Sequence, residues 1–402
     1  MGYELDAEGL GRLGKFFSSI GDVLNNKKRR ESFAVYAMGL LGSAERKSTE
    51  PLAAAASGDA TRCSAAHQRL TYFLTDSPWD DHAVRRVAAH HAIAAMTIHE
   101  PIRTWIIDDT GFLKQGKCSV GVQRQYTGSA GKIANCQLGV SLSIATLSAH
   151  VPIDFELYLP EDWTDDPTRR AACKIPDDIV FKTKEDLALA MIERAIRDKI
   201  PGDIVLADSW YGRSSKFRSV LRVYGFDYAL GIPPIQKMWR VDKLGRRIGE
   251  PRNAKELAEQ LRRNAFRRVT WRDGTMSGRR GKLSARFALL RVLVEGATES
   301  EWLLIEQLEN GAFKFALTTL PRSMSKKQIV RLFKERYRTE RVYEEMKGEL
   351  GLDHFEGRSF IGWHHHVSVA ICCYAFVIAE RMRHFPPSAE WRSSSRPNAL
   401  AA

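Results

Sequence analysis

The sequence lacks the cysteine spacing of a zinc site and the long apolar run of a membrane span. Its six cysteines include no pair separated by two residues, so no zinc site is indicated. The longest apolar run, residues 367–379, has thirteen residues, whereas a spanning helix needs roughly 20. The first residues also lack the pattern of a signal peptide. We therefore expect a cytoplasmic protein without membrane association.

A phosphate-binding loop for ATP is missing as well. Residues 128–132 read Gly-Ser-Ala-Gly-Lys, but a Walker loop needs a glycine five places before its Gly-Lys pair. Tyr126 occupies that place. We therefore expect no ATP binding.

Positive charge is abundant and concentrated. The 402 residues carry a formal net charge of +13. Residues 237–286 hold sixteen Lys or Arg and five Asp or Glu, a local net charge of +11, together with several aromatic residues. This mixture favours contact with nucleic acid, although a solvated loop is the alternative. The candidate DNA-binding residues of this stretch are Arg262, Arg263, Arg267 and Arg268.

Hydrophobic periodicity predicts an α/β protein. The first hundred residues show the three- and four-residue spacing of helices. Further along, alternating or short apolar runs predict strands at 105–109, 137–147, 151–159, 203–208, 287–294, 302–307 and 313–318. Helices are predicted at 184–198, 326–350 and 365–383.

Three carboxylates occupy positions that suit a metal site. We expect Asp109 and Asp208 each to end a strand, and Glu340 to lie in a late helix. Carboxylates that converge on one point repel each other unless cations bind, and oxygen ligands suit Mg²⁺ or Mn²⁺. Two such ions could activate a water and stabilise a leaving 3′ oxygen. For each residue alone, a structural role such as a helix cap is the alternative.

The late helix carries a regular polar face. Phe333, Arg336, Glu340, Tyr343 and Lys347 are spaced three, four, three and four residues apart, so a single helix would place them on one side. An exposed stripe of salt bridges would show the same spacing. The two preceding aspartates favour the catalytic interpretation.

Four blocks in this order resemble the DDE transposases of bacterial insertion sequences, in particular the insertion sequence 701 family within the insertion sequence 4 branch. The blocks are residues 107–116, 122–128, 207–212 and 347–354. The resemblance runs from about residue 33 to residue 380. It implies an RNase H-like mixed-sheet core and makes Asp109, Asp208 and Glu340 the catalytic metal ligands.

The same resemblance implies roles for the residues around Glu340. The branch has a signature of Tyr, two residues, Arg, three residues, Glu, six residues and Lys. Arg336 and Lys347 match it and would contact DNA, whereas Phe333 stands at the Tyr position and Tyr337 is a candidate substitute. Thr follows the first Asp of the family, and this favours Asp109, before Thr110, over Asp108, although the choice remains open.

The family also implies a β-rich insertion between the second Asp and the Glu. The helical spacing of the first hundred residues predicts an N-terminal helical bundle, for which DNA binding and ordinary packing are equal alternatives. A tryptophan of the insertion would stack on a flipped DNA base, with Trp271 and Trp302 as candidates, and packing in the core is the alternative for both. The expected segments are a helical DNA-binding domain at 1–100, the first part of the core at 101–212, the basic insertion at 213–322, the C-terminal core helices at 323–385 and a disordered tail at 386–402.

The function implied is that of a transposase that binds terminal inverted repeats, cleaves DNA and transfers 3′ ends to target DNA. The expected partners are double-stranded DNA and a second copy in a homodimer, and the expected location is the bacterial nucleoid. Two alternatives remain, namely a nuclease without strand transfer and a non-catalytic DNA-binding repressor. Metal-dependent nicking and joined products would discriminate between them.

Overall fold

The computed structural model of the chain describes residues 5–57, 60–272, 281–321 and 323–386. Through the eighth helix the elements are α1 (Ala7–Leu24), α2 (Lys27–Leu41), α3 (Thr49–Ser57), α4 (Ala60–Thr75), α5 (Asp81–Met96), β1 (Thr104–Leu113), β2 (Gln123–Thr127), β3 (Lys132–Ala145), β4 (His150–Tyr158), α6 (Glu161–Thr164), α7 (Pro167–Ala172) and α8 (Lys184–Arg197).

The chain then continues into further strands and the last helices. These elements are β5 (Ile204–Ala207), α9 (Ser209–Gly212), α10 (Ser215–Val223), β6 (Asp227–Ile232), β7 (Lys237–Val241), β8 (Arg247–Asn253), α11 (Ala254–Glu259), β9 (Arg267–Arg272), β10 (Leu283–Val294), β11 (Glu301–Gln307), β12 (Phe313–Thr318), α12 (Lys326–Glu335), α13 (Arg338–Leu350) and α14 (Phe360–His384).

Internal contacts divide the chain into two compact units. Among the described residues, the first unit consists of 5–57, 60–103, 108–201 and 338–386, and the second of 104–107, 202–272, 281–321 and 323–337. Strand β1 contributes its first four residues to the second unit and its other six to the first.

The first unit packs its helices around α14 and against strands. β2, β3 and β4 pair antiparallel in that order, and β1 lies beside β3. α14 contacts α2, α4, α5 and β4. Its length and composition would suit a membrane span, but 89% of its most apolar stretch is buried inside the protein. α14 is therefore the core helix of this unit.

The second unit is a mixed sheet with short helices. The start of β1, β5 and β6 are parallel neighbours, and β6 pairs antiparallel with β12. β11 and β10 follow β12, and β10 also pairs with β7 and β9. Val292, Leu303 and Phe315 are among the buried residues of the core beneath these strands. Mixed strands with helices confirm the α/β, RNase H-like fold class expected from the sequence.

The structure corrects the prediction of one helix over residues 326–350. α12 ends at Glu335, the chain turns at Arg336 and Tyr337, and α13 begins at Arg338. The regular side-chain spacing continues across the turn, but the residues on its two sides bind to different parts of the protein. Lys334 binds Glu306 of the second unit, whereas Arg338 donates to the backbone of Thr146 and Leu147 in the first. Tertiary contacts therefore override the local periodicity.

Other boundaries differ from the predicted ones. β1 continues to Leu113, so Asp109 lies inside the strand and does not end it. β3 begins at Lys132, five residues earlier than predicted, and pairs with the unpredicted strand β2, whose polar residues hide its alternation. The predicted strand at 313–318 is confirmed. Residues 387–402 of the predicted disordered tail lie outside the described residues.

Candidate active site

Asp109 pairs with a lysine that the sequence did not single out. Its Oδ2 lies 2.8 Å from Lys184 Nζ, and both side chains are largely buried. Lys184 is the first residue of α8, whose N-terminus is capped by the Thr183 side chain. The contact places α8 on the face of β1 to which Asp109 points. The lysine charge compensates the burial of the carboxylate.

The neighbouring residues of β1 face the opposite side. Lys347 Nζ of α13 donates to Thr110 Oγ1 over 2.9 Å, and the Phe112 ring packs edge-on against Trp363 of α14 at 5.5 Å. Because side chains alternate along a strand, Asp108 lies on the face of Thr110 and Phe112. Asp108 is 8% exposed, which agrees with a place on a covered face of the strand.

α13 is attached to the strands at two successive turns. Tyr343 Oη lies 2.6 Å from Ser141 Oγ of β3. One turn further, Lys347 Nζ also donates to the carbonyl of Gly111 over 2.7 Å and lies 3.5 Å from Ser129 Oγ. Burial lowers the pKa of Lys347. Its amino group is held by acceptors in β1 and in the turn after β2.

Glu340 lies in the first turn of α13 and is exposed. It precedes Tyr343 by three residues and Lys347 by seven, so all three share the face of α13 that meets β1 and β3. A carboxylate in the first turn is stabilised by the partial positive charge at a helix N-terminus. Glu340 thus lies in the same unit as Asp108. Its helix, α13, is fixed against β1, the strand that contains Asp108.

Asp208 follows β5 directly, as the sequence predicts, and lies in the second unit. It is the N-cap of α9, and its Oδ1 accepts from Trp210 N over 2.9 Å. α9 packs closely on β6, since a Cβ on Gly212 would overlap the carbonyl of Gly231. The cap uses one carboxylate oxygen, so a second oxygen is present to bind a cation. The structural role considered from the sequence is real and is compatible with a metal role.

The structure separates Arg336 and Tyr337 from the face of α13. Arg336 is the C-cap of α12, and both residues belong to the second unit. The prediction that one helical face carries Arg336, Glu340 and Lys347 is therefore wrong for Arg336. Tyr337 is 54% exposed in the turn that follows α12.

The candidate DNA-binding residues of the insertion lie on β9, on β11 and in the turn before β9. Arg262, Arg263, Arg267 and Arg268 are exposed. The two candidate tryptophans are half-buried, and each has a cation over its ring, with Lys334 Nζ 4.7 Å from the centre of the Trp271 ring and the Arg291 guanidinium 5.2 Å from that of Trp302. The arginines therefore form an accessible basic surface, whereas both tryptophan rings are in cation–π contact within the protein.

A separate group with metal-ligand chemistry is formed by His82, Asp154 and Glu156. Their ligand atoms lie within 4.8 Å of one another. Arg194 contacts Asp154 at 2.8 Å and Glu156 at 2.5 Å, and Arg85 lies 3.1 Å from Asp154. Two arginines thus compensate these carboxylates inside the protein. This cluster is distinct from the predicted ligands and does not require a cation.

Comparison with known proteins agrees with this architecture. A model described as DDE superfamily endonuclease matches residues 19–278, and one described as transposase DDE domain matches residues 182–376. The chain is 31% identical over 166 residues to a probable transposase for insertion sequence element IS701 of Microchaete diplosiphon. That match covers 41% of this chain and 40% of the relative's length. The first model spans more than half of the sequence, and the chain therefore belongs to the DDE superfamily of endonucleases and transposases.

Proposed function

We propose that the protein is a transposase that binds the terminal inverted repeats of an insertion sequence, cleaves phosphodiester bonds and joins the 3′ ends to target DNA. The DDE family membership is the observation that carries this proposal. The likeness to a probable insertion-sequence transposase and the exposed arginines of the insertion support it. A homodimer on DNA in the bacterial cytoplasm is part of the same proposal, and ATP and a membrane are not.

Within this function, we assign the metal ligand on β1 to Asp108. Asp109 is favoured by the Thr that follows it in the sequence, but it faces α8 and pairs with Lys184. Asp108 shares the face of β1 that Lys347 contacts through Thr110, on the helix that carries Glu340. In addition, Ile106 pairs with Leu206, and Asp108 and Asp208 follow these residues by two positions each.

The proposed ligands Asp108, Asp208 and Glu340 would together supply carboxylate oxygens, which suit two Mg²⁺ or Mn²⁺ ions. Bound there, the ions would supply activation of the attacking oxygen and stabilisation of the leaving 3′ oxygen. The chain's own residues fix these ligands. The α9 cap orients Asp208, and the Tyr343 and Lys347 bonds hold α13 and hence Glu340. The reaction proposed is in-line attack on a phosphodiester, first by water and then by a DNA 3′-OH.

The decisive experiment compares neighbouring aspartates in Mg²⁺-dependent cleavage of the flanking repeats. Asp108→Asn, Asp208→Asn and Glu340→Gln should each lower the cleavage rate by about 100-fold or more. Replacing a residue that only hydrogen-bonds to a metal ligand already lowers metal affinity or activity by about 10–100-fold. Asp109→Asn should keep most of the activity. All four variants should still bind DNA, and chelation of the metal should stop wild-type cleavage.

If Asp109→Asn abolished cleavage and Asp108→Asn did not, the metal ligand on β1 would be Asp109. Cleavage without joined products would identify the nuclease alternative. DNA binding without metal-dependent nicking would identify the repressor.

A further inference from the structure

The β2–β3 hairpin belongs to a segment without acidic residues. Residues 110–153 contain no Asp or Glu, although the chain has 48 acidic residues among 402. The segment carries Lys114, Lys117, Arg124 and Lys132. Lys114 Nζ donates to the carbonyl of Phe355, and the other three are exposed. The hairpin and the loop before it therefore present positive charge that no neighbouring carboxylate in the segment offsets.

One face of this hairpin combines charge with exposed apolar surface. Tyr126 of β2 pairs across the ladder with Ile133 of β3, and they are 66% and 60% exposed. Arg124 lies two residues before Tyr126, on the same face. Lys132 directly precedes Ile133 on β3 and therefore points to the opposite face. In the part of the chain that the structure describes, Arg124 forms no ion pair. Large exposed apolar residues beside an unpaired cation are typical of a binding surface.

This face is continuous with the face that α13 covers. Ile133 and Ser141 are eight residues apart on β3, so their side chains point to the same side, and Ser141 contacts Tyr343 of α13. At a strand rise of about 3.3 Å per residue, Ile133 lies about 26 Å from Ser141 along the strand. The rise of duplex DNA, 3.4 Å per base pair, makes this about 8 base pairs.

The hairpin is held rigidly enough to act as a fixed contact. Asn135 Nδ2 donates to the carbonyls of Lys114 and Gly116 over 2.7 and 2.9 Å. At the turn, the Ser129 hydroxyl bonds to the carbonyl and the N–H of Gly111, each at 3.1 Å. Both ends of the hairpin are thus tied to β1 or the residues that follow it, and β1 carries the proposed metal ligand.

We propose that the Arg124, Tyr126 and Ile133 surface binds the backbone of duplex DNA about 8 base pairs from the cleaved phosphate. The proposal rests on the proposed function for its partner. Arg124 would contact a phosphate, and the Tyr126 ring and Ile133 would lie against the deoxyribose. DNA is favoured over a protein partner because the segment's charge is of one sign. Protection of an edge strand from self-association is the competing role for the same charges.

The first test is the salt dependence of binding to a non-specific duplex. Arg124→Gln should lower the slope of log affinity against log salt by about 0.9, which is the contribution of one phosphate contact. The matched control is Arg197→Gln, which removes one exposed cation at the C-terminal end of α8 and should leave the slope unchanged. Thermal unfolding should be equal for both variants, because both side chains are exposed.

The second test is a hydroxyl-radical footprint on repeat DNA. Tyr126→Ala should weaken protection about 8 base pairs from the cut and leave protection at the cut itself. Equal slopes for both variants, or an unchanged footprint, would overturn the proposal. A change in oligomeric state of Arg124→Gln with an unchanged slope would also overturn it and identify an edge that joins copies.

These outcomes are separable from those for catalysis. A wild-type chain that does not cleave its repeats, but whose binding depends on the hairpin, would overturn the proposed function and support the hairpin surface. A wild-type chain that binds no DNA would overturn both.

Discussion

At the scale of single residues, the adjacent carboxylates Asp108 and Asp109 show what alternation adds to a motif. The sequence offers two acidic residues before Thr110, and a family resemblance favours the second. In the structure, the two aspartates face opposite sides of β1. Lys184 contacts Asp109 on one side, and Lys347 contacts Thr110 on the other, which is the side of Asp108. Two consecutive strand residues cannot both point into one site. The choice therefore depends on tertiary contacts that no spacing reveals.

Gly111 gives a prediction at the same scale. A Cβ at this position would overlap Thr127 Oγ1 and meet Thr127 Cβ at 2.7 Å. Gly111→Ala should therefore displace the hairpin turn and cost about 1–3 kcal/mol of unfolding free energy, as overpacking does. Gly128→Ala is the matched control, because nothing lies within 4 Å of its added carbon. Chemical denaturation measures both, and equal stability would show that the turn adapts without cost.

At the scale of elements, β12, β4 and α8 follow closely from the sequence. Strong alternation or helical spacing predicts them, with boundaries correct to within one residue. The break between α12 and α13 and the strands β7–β9 do not follow from it. The break depends on anchors in different units, and basic residues obscure the alternation of the strands. Periodicity predicts an element best where one face is apolar and the other polar.

The contacts of Lys347 lead to a prediction about α13. Lys347 Nζ has acceptors on Thr110, Gly111 and Ser129, so we interpret it as a positioning residue for β1 and α13. Lys347→Met keeps most of the buried stem and removes these bonds, and it should cost about 1–3 kcal/mol. Because Asp108 and Glu340 would then be less well fixed, single-turnover cleavage of pre-bound DNA should slow while initial binding persists.

Arg341→Met is the control for this prediction. Arg341 lies on the same helix, is exposed and pairs only loosely with Glu345 at 4.0 Å. Its replacement should change stability by less than about 0.5 kcal/mol and leave the rate unchanged. If Lys347→Met matched this control in both stability and rate, Lys347 would have no positioning role.

At the scale of the whole molecule, charge is the property that the sequence predicts most directly. The excess of +13 and its concentration in residues 237–286 are visible without a structure. What the sequence cannot supply is which cations are accessible. Arg286, for example, donates to the carbonyls of Arg263 and Phe266, whereas Arg262 and Arg267 are exposed. Only cations that reach solvent can exchange counterions for DNA phosphates.

The last prediction concerns that accessible part of the insertion. Replacing the four exposed arginines together by glutamine should weaken DNA binding and lower the log–log salt slope by about 3.6, or about 0.9 for each lost phosphate contact. The four residues are Arg262, Arg263, Arg267 and Arg268. Arg197→Gln with Lys199→Gln removes two exposed cations at the C-terminal end of α8. This double variant, compared per charge removed, controls for the change in net charge. An unchanged slope would mean that the insertion is only solvated. If the slope fell by the same amount per removed charge in the four-arginine variant and in the control, DNA binding would depend on the overall charge of the protein. A localised contact requires that only the replacement of the four arginines lowers the slope.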